Sequence, residues 1–352
     1  MEYSLDSYLT ALRGQTKQQL SFQEVTTMED LLLRQVVARD KLRSLLKLAD
    51  IPNKLPLLKT EEIEEQRLLH GCKVRRLALT ICDGLSFPMY LLSPAEQAES
   101  RYTQCAVFCH GHGNGSRETL GLDARGNPLD AENYHRLAPI ELCKLGYTVA
   151  VPEILGFGDT CTTWDTTCRA AYGSLAMMGL SLAGLRVYQI MRVIDYLILY
   201  LHADIENLVC MGISGGGMLT TLTSACDTRI STAVVSGYLS SFAQSIMSIE
   251  HCICNFIPDL YSYFEMSDLA ALILPRTLVM EAGTEDPIFP IEAARQTAEQ
   301  LAGLYQIAGK PERFILDEFS GGHQISGRLA YPLLRKNLQL RLSRPSQQCP
   351  QL

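Results

Sequence analysis

The run Gly212-Ile213-Ser214-Gly215-Gly216 sets a serine among glycines, a pattern with a specific chemical use. A serine hydroxyl attacks a carbonyl only when a neighbouring base takes its proton, so a base and an orienting acid must accompany it. The run follows the apolar stretch 208–211 and precedes a helical segment opening at Gly217-Met218-Leu219. That is the strand–turn–helix setting of a nucleophile elbow. Such a turn is tight, crowds its neighbours and lifts the serine toward the positive end of a helix dipole. Behind an elbow of this kind the acid and then the base follow along the chain. Gly283-Thr284-Glu285-Asp286-Pro287 comes after the strand-like stretch 277–281. Asp286 is the expected acid because Pro287 fixes the turn that aims it, with Glu285 as competitor. Next comes Gly321-Gly322-His323-Gln324. Of the seven histidines, His323 alone combines the right order, a loop after a strand and flanking glycines, so it is the expected base.

Acyl transfer also needs donors where negative charge grows on the carbonyl oxygen. Phe108-Cys109-His110-Gly111-His112-Gly113 follows a short apolar run, and the amides of His112 and Gly215 are expected to form that oxyanion hole. The rival reading, His110 and His112 as metal ligands, has an acceptable spacing but no accompanying cluster of acids or cysteines in the sequence. Cys252 and Cys254 are spaced C-x-C, without the two-residue gap common in zinc sites. The twelve cysteines are scattered, so they read as reduced thiols buried as small hydrophobes. No metal and no organic cofactor are expected.

These residues need a scaffold that brings distant loops to one edge. The stretches 74–82 and 87–92 flank Asp83-Gly84, a two-residue hairpin signal. Continuous apolar runs at 105–109, 147–151, 208–212, 233–236, 277–281 and 313–316 read as strands buried on both faces. Helical patterns lie among them near 137–145, 180–201, 217–226, 291–304 and 329–342. An opening hairpin followed by alternating strands and helices implies an α/β fold with a mostly parallel sheet and helices on both faces. Residues 1–70 read as a helical extension. Thr26-Thr27-Met28-Glu29 fits a capping box, and Leu31, Leu32, Leu33, Val36, Val37, Leu42, Leu45 and Leu46 recur at helical spacing. The catalytic domain is expected over 71–342, with a frayed Ser-, Gln- and Pro-rich tail at 343–352.

Of the 352 residues, 47% are hydrophobic and 20% charged, as in a globular protein with a sizeable core. A formal net charge of -7 argues against nucleic acid or an anionic membrane surface as partner. The uncharged run 230–249 carries too many serines and polar groups for a membrane span. Met1 to Asp6 lacks the basic, then apolar, opening of an export signal, so the cytoplasm is expected.

His110-Gly111-His112-Gly113, Pro152-Glu153-Ile154-Leu155-Gly156-Phe157-Gly158-Asp159, the elbow at Ser214, the segment 283–290 and Gly322-His323 together resemble the dienelactone-hydrolase-like branch of the α/β-hydrolases. Within that branch they are most similar to proteins grouped with acetyl xylan esterases. The resemblance covers roughly residues 72–340 and implies a serine esterase acting on a small-molecule ester with a short acyl group. Dienelactone hydrolases proper carry cysteine as nucleophile, whereas serine stands here. Rivals are a peptidase of the prolyl-oligopeptidase kind, a thioester or carbon–carbon hydrolase, and a non-catalytic binding protein. The peptidases usually carry a large propeller, which about 70 helical residues cannot form. Phe157, Trp164, Met177, Met178, Tyr238, Phe256, Tyr263 and Phe264 fall in segments that could line a substrate pocket.

Overall fold

The computed structural model describes residues 5–96, 103–129 and 133–342; the expected tail at 343–352 lies outside them. The chain opens with helices α1 (Asp6–Gln15) and α2 (Met28–Leu45). Strands β1 (Lys54–Leu69), β2 (Cys72–Cys82), β3 (Leu85–Pro94) and β4 (Cys105–Cys109) follow. Next come α3 (Ser116–Thr119), α4 (Ala138–Leu145), β5 (Thr148–Pro152), α5 (Cys168–Met177) and α6 (Leu182–Leu201). The remainder alternates: β6 (Val209–Ile213), α7 (Gly215–Cys226), β7 (Thr232–Ser236), α8 (Met266–Ala271), β8 (Thr277–Gly283), α9 (Ile291–Ile307), β9 (Phe314–Phe319) and α10 (Ala330–Leu342).

All nine strands join one sheet in the order β1-β2-β3-β5-β4-β6-β7-β8-β9. The pairs β1–β2, β2–β3 and β3–β5 are antiparallel, and every later pair is parallel. Strands β4, β5, β6 and β7 are buried along their whole length, which is why they read as unbroken apolar runs rather than alternating ones. Two cores form on opposite faces of the sheet, one containing Val107, Cys210 and Val235, the other Ala106, Met211 and Val234. Adjacent residues along each strand therefore feed opposite cores. Among the described residues no single helix is long and apolar enough to cross a membrane.

The first 70 residues depart from the helical reading. Helix ends at Leu45, and Lys54–Leu69 is the edge strand β1, paired along β2. Its Lys- and Glu-rich sequence is mostly exposed, as suits a strand whose outer edge must not recruit another chain. The cap of α2 shifts by one residue: Thr27 accepts from the Asp30 amide at 3.2 Å and its hydroxyl donates to Asp30 at 2.8 Å. The buried stripe of α2 is Leu31, Gln35, Ala38 and Leu42, while Leu32, Leu33, Val36 and Val37 face solvent. Polar groups complete the seat. Gln35 donates to the carbonyls of Ala271 and Leu274, and Arg39 to those of Ala225 and Leu272. These are carbonyls at and just beyond the ends of α7 and α8, which lack acceptable intrahelical partners. Leu31, Ala38 and Leu42 share a core with the sheet, so the extension is welded to the domain.

Candidate active site

Strand β6 delivers Ser214 at its carboxyl end with φ 58° and ψ -123°, a strained conformation for a residue with a side chain. The turn survives because its neighbours are glycines. A Cβ on Gly216 would lie 2.0 Å from the Cys109 carbonyl oxygen, so β4 and α7 approach closely only with hydrogen there. Ser214 N donates to Ser236 O at 3.1 Å, tying the elbow to the end of β7.

Residue 237 begins the next stretch of the wall. Gly237 has φ +48°, and a Cβ there would sit 3.1 Å from His323 Cε1 and Nδ1 and 3.3 Å from Asp286 Oδ2. His323 Nδ1 donates to Asp286 Oδ2 at 2.7 Å, and Asp286 Oδ1 accepts from the amides of Ile288 and Phe289 at 2.8 and 3.1 Å. The carboxylate is thus aimed by backbone donors, as the turn at Pro287 suggested. Glu285 is exposed, so it is Asp286 that meets the imidazole. The His323 loop is itself pinned from below. Buried Glu281 accepts from Ser236 Oγ at 2.6 Å, Ser326 N at 3.1 Å and Gly327 N at 2.8 Å. Asp317 accepts from Ser326 Oγ, Leu329 N and the Arg328 guanidinium.

Ser214 and His323 share this wall without a hydrogen bond between Oγ and the ring among the described residues. Tyr134 bridges them. Its ring stacks on His323 with centroids 5.6 Å apart, and its hydroxyl donates to His112 O. That hydroxyl and Ser214 Cβ both crowd Gly111.

The loop after β4 is held by two histidines. His110 Nε2 accepts from Ile154 N at 3.0 Å, and its Nδ1 donates to Gly111 O at 2.8 Å. Gly111 N donates to His135 Nε2 at 3.1 Å, and burial pulls the His135 pKa down to about 3. The acceptor role of His135 requires an uncharged ring. The amide of His112 has no hydrogen-bond partner among the described residues, and that of Gly215 opens α7, ahead of any intrahelical acceptor. Both are therefore available donors beside Ser214.

The aromatic residues divide. Phe157 packs edge-on against His110 and His112, and Tyr238 abuts Phe289, which stacks on His323 at 5.7 Å. Trp164, Met177, Met178 and Phe256 are exposed, Tyr263 lies under Lys41, and Phe264 is core. Sequence reasoning missed Tyr134, His135, Phe289 and His251. His251 lies 6.1 Å from the His112 ring and 6.3 Å from Phe289, with a buried Nδ1 that has no hydrogen-bond partner.

It also missed a thiol cluster. His112 Nε2 lies 3.2 Å from Cys254 Sγ, and Cys254 Sγ lies 3.1 Å from Cys252 Sγ. The view that no cysteines accompany His112 is therefore overturned. The fold gathers residues that lie some 140 positions apart in the chain, which no local spacing rule detects. The other buried cysteines, such as Cys105, Cys210 and Cys226, do behave as small hydrophobes.

A mostly parallel sheet with an antiparallel entry, a strained serine after its central strand and a His–Asp pair on the following loops define an α/β-hydrolase fold. The model of the prolyl oligopeptidase family matches residues 134–330, more than half of the chain. The protein belongs to that family, whose peptidases were one of the rival readings of the sequence. The match contains Ser214, Asp286 and His323 and begins beyond the loop of His110 and His112. A curated relative, "Putative hydrolase YtaP" of Bacillus subtilis (strain 168), is 24% identical over 290 residues, covering 78% of this chain and 90% of its own. Among solved structures, a "putative acetyl xylan esterase" from Bacteroides fragilis NCTC 9343 superposes with a TM-score of 0.78 at 16% identity, covering 96% of both chains. Acetyl xylan esterase 1 from Thermoanaerobacterium sp. JW/SL YS485 gives 0.56 at 14% identity, over 93% of this chain and 98% of its own. At such identities these likenesses speak for the fold.

Proposed function

We propose that the protein is a serine esterase cleaving small carboxylic esters, with Ser214 as nucleophile, His323 as base and Asp286 as orienting acid. The observation that carries this reading is the Asp286–His323 hydrogen bond, set against a serine held in elbow geometry. Asp286 keeps the proton on Nδ1, which leaves Nε2 free to accept the serine proton. As substrate enters, the Ser214–His323 gap closes, in keeping with the long catalytic hydrogen bonds of many empty sites. Ser214 Oγ then attacks the carbonyl carbon, and the amides of His112 and Gly215 hold the oxyanion. The imidazolium protonates the leaving alcohol, and water, deprotonated by His323, releases the acid. The motif resemblance to acetyl xylan esterases and the fold shared with them favour a short acyl group.

Family membership favours a second reading, cleavage of a peptide bond by the same groups. Turnover of p-nitrophenyl esters from acetyl to octanoyl, compared with aminoacyl-proline anilides, separates the two. The esterase reading expects hydrolysis skewed to the shortest esters and lost in Ser214→Ala. Anilide turnover exceeding that of every ester would replace it with the peptidase.

A further inference from the structure

Beside the candidate active site lies a group of soft donors that acyl transfer does not use. His112 stands on the loop after β4, Cys168 opens α5, Cys252 precedes the short turn Ile253–Asn255 and Cys254 lies within it. The ligand atoms of His112, Cys252 and Cys254 lie within 4.8 Å of one another. Cys168 belongs to the same buried cluster as Cys254 but stands outside that 4.8 Å group, so its sulfur would have to move in to become the fourth ligand.

The strongest clue is a charge. Arg186 on α6 is 2% exposed and permanently protonated. Its Nε donates to Leu155 O at 2.8 Å, its Nη2 to Cys168 Sγ at 3.1 Å, and its guanidinium lies over Phe157. Among the described residues no carboxylate forms an ion pair with it. A buried, uncompensated guanidinium is costly, and the groups within reach that can carry negative charge are the cysteines.

We propose that His112, Cys168, Cys252 and Cys254 form a tetrahedral zinc site whose net charge neutralises Arg186. A divalent zinc with three thiolates and a neutral imidazole carries one negative charge, matching the one positive charge of the guanidinium. Loading releases the three thiol protons to solvent. Zinc accepts this donor set at about 2.3 Å from sulfur and about 2.0 Å from nitrogen. The sulfurs of Cys252 and Cys254, now 3.1 Å apart, would spread by roughly 0.7 Å to reach tetrahedral separation. With four protein ligands the site is closed and structural. It clamps the loop carrying the His112 amide to α5 and to the segment carrying His251. A lone Cys168 thiolate would also balance Arg186, but it gives no account of the imidazole and two further thiols converging on the same spot.

The proposal does not depend on the esterase reading, because metal content is measured without turnover. Untagged full-length protein, purified without chelator, is analysed for metals by mass spectrometry beside a Cys252→Ser/Cys254→Ser variant. About one zinc per chain is expected in the wild type, falling at least fivefold in the variant. Titrating the demetallated wild type with cobalt(II) is expected to give the thiolate-to-cobalt band and the intense visible bands of a tetrahedral site. If the variant does not fold, the cobalt titration decides alone. A wild type that holds no zinc and shows no thiolate–cobalt band overturns the proposal. So does an intact mass 2 Da low, tracing to a disulfide among residues 168, 252 and 254.

Discussion

Replacing Asp286 with asparagine tests the geometry of the base most sharply, because it changes one atom and keeps the shape. Oδ1 of Asp286 accepts from two backbone amides, and Oδ2 accepts from His323 Nδ1. An asparagine must keep its oxygen on the two amides, since turning it around would leave both donors facing an NH2 group. Its nitrogen then faces His323 Nδ1 and can only donate. The imidazole must therefore carry its proton on Nε2, the position that has to accept from Ser214. Wrong-tautomer variants of Ser-His-Asp systems lose about 10⁴-fold in kcat, which corresponds to about 5 kcal/mol of barrier. Hydrolysis of p-nitrophenyl acetate is expected to fall by that factor, with KM changed little and the melting temperature near that of the wild type. Glu285→Gln, at the exposed competitor, should stay within threefold. An Asp286→Asn enzyme within tenfold of wild type, or a larger loss in Glu285→Gln, would refute the assignment.

Other consequences follow from the same contacts. His135 must stay neutral to accept from Gly111 N, and burial holds its pKa at about 3. An unfolded histidine titrates near 6.5, so between these values the unfolded chain binds more protons and stability falls as pH drops. By pH 4.5 the loss from this group is about 3 kcal/mol, and urea unfolding at pH 7 and 4.5 should show that loss reduced in His135→Gln. Gly237→Ala places a methyl group against His323 and Asp286 at a positive φ. It should cost about 1–2 kcal/mol of stability and lower kcat at least tenfold, read by urea melts and steady-state kinetics. Glu281→Gln removes one acceptor from a buried carboxylate that serves three donors. A loss of about 2–3 kcal/mol and a fall in kcat larger than any rise in KM are expected, since the His323 loop loosens while the pocket remains.

The parallel part of the sheet was legible because its strands are buried on both faces, and an apolar run such as Cys105–Cys109 admits few other readings. Ser214 and Asp286 could be picked out because each stands in a short glycine-containing turn directly after a buried strand, and His323 because its glycine-flanked loop follows β9, which is itself only half-buried. Strand β1 was hidden for the opposite reason. Only Leu58 along it is buried, so its sequence carries no core-facing period, and its pairing with β2 decides its structure. Likewise Leu32, Leu33, Val36 and Val37 made α2 look broader on its apolar side than it is. The carbonyl-binding side chains of Gln35 and Arg39, which are polar, set the buried face instead. Tyr134, His251 and the cysteines around His112 were hidden because their meaning lies in contacts between segments far apart in the chain.

The most direct measurement of the central claim is the site of covalent capture by a fluorophosphonate. After incubation with the native protein, intact mass and peptide mapping should show one adduct, on Ser214. Ser214→Ala should show none, and Asp286→Asn should react far more slowly. An unreactive native protein, or an adduct on any other residue, would contradict the account.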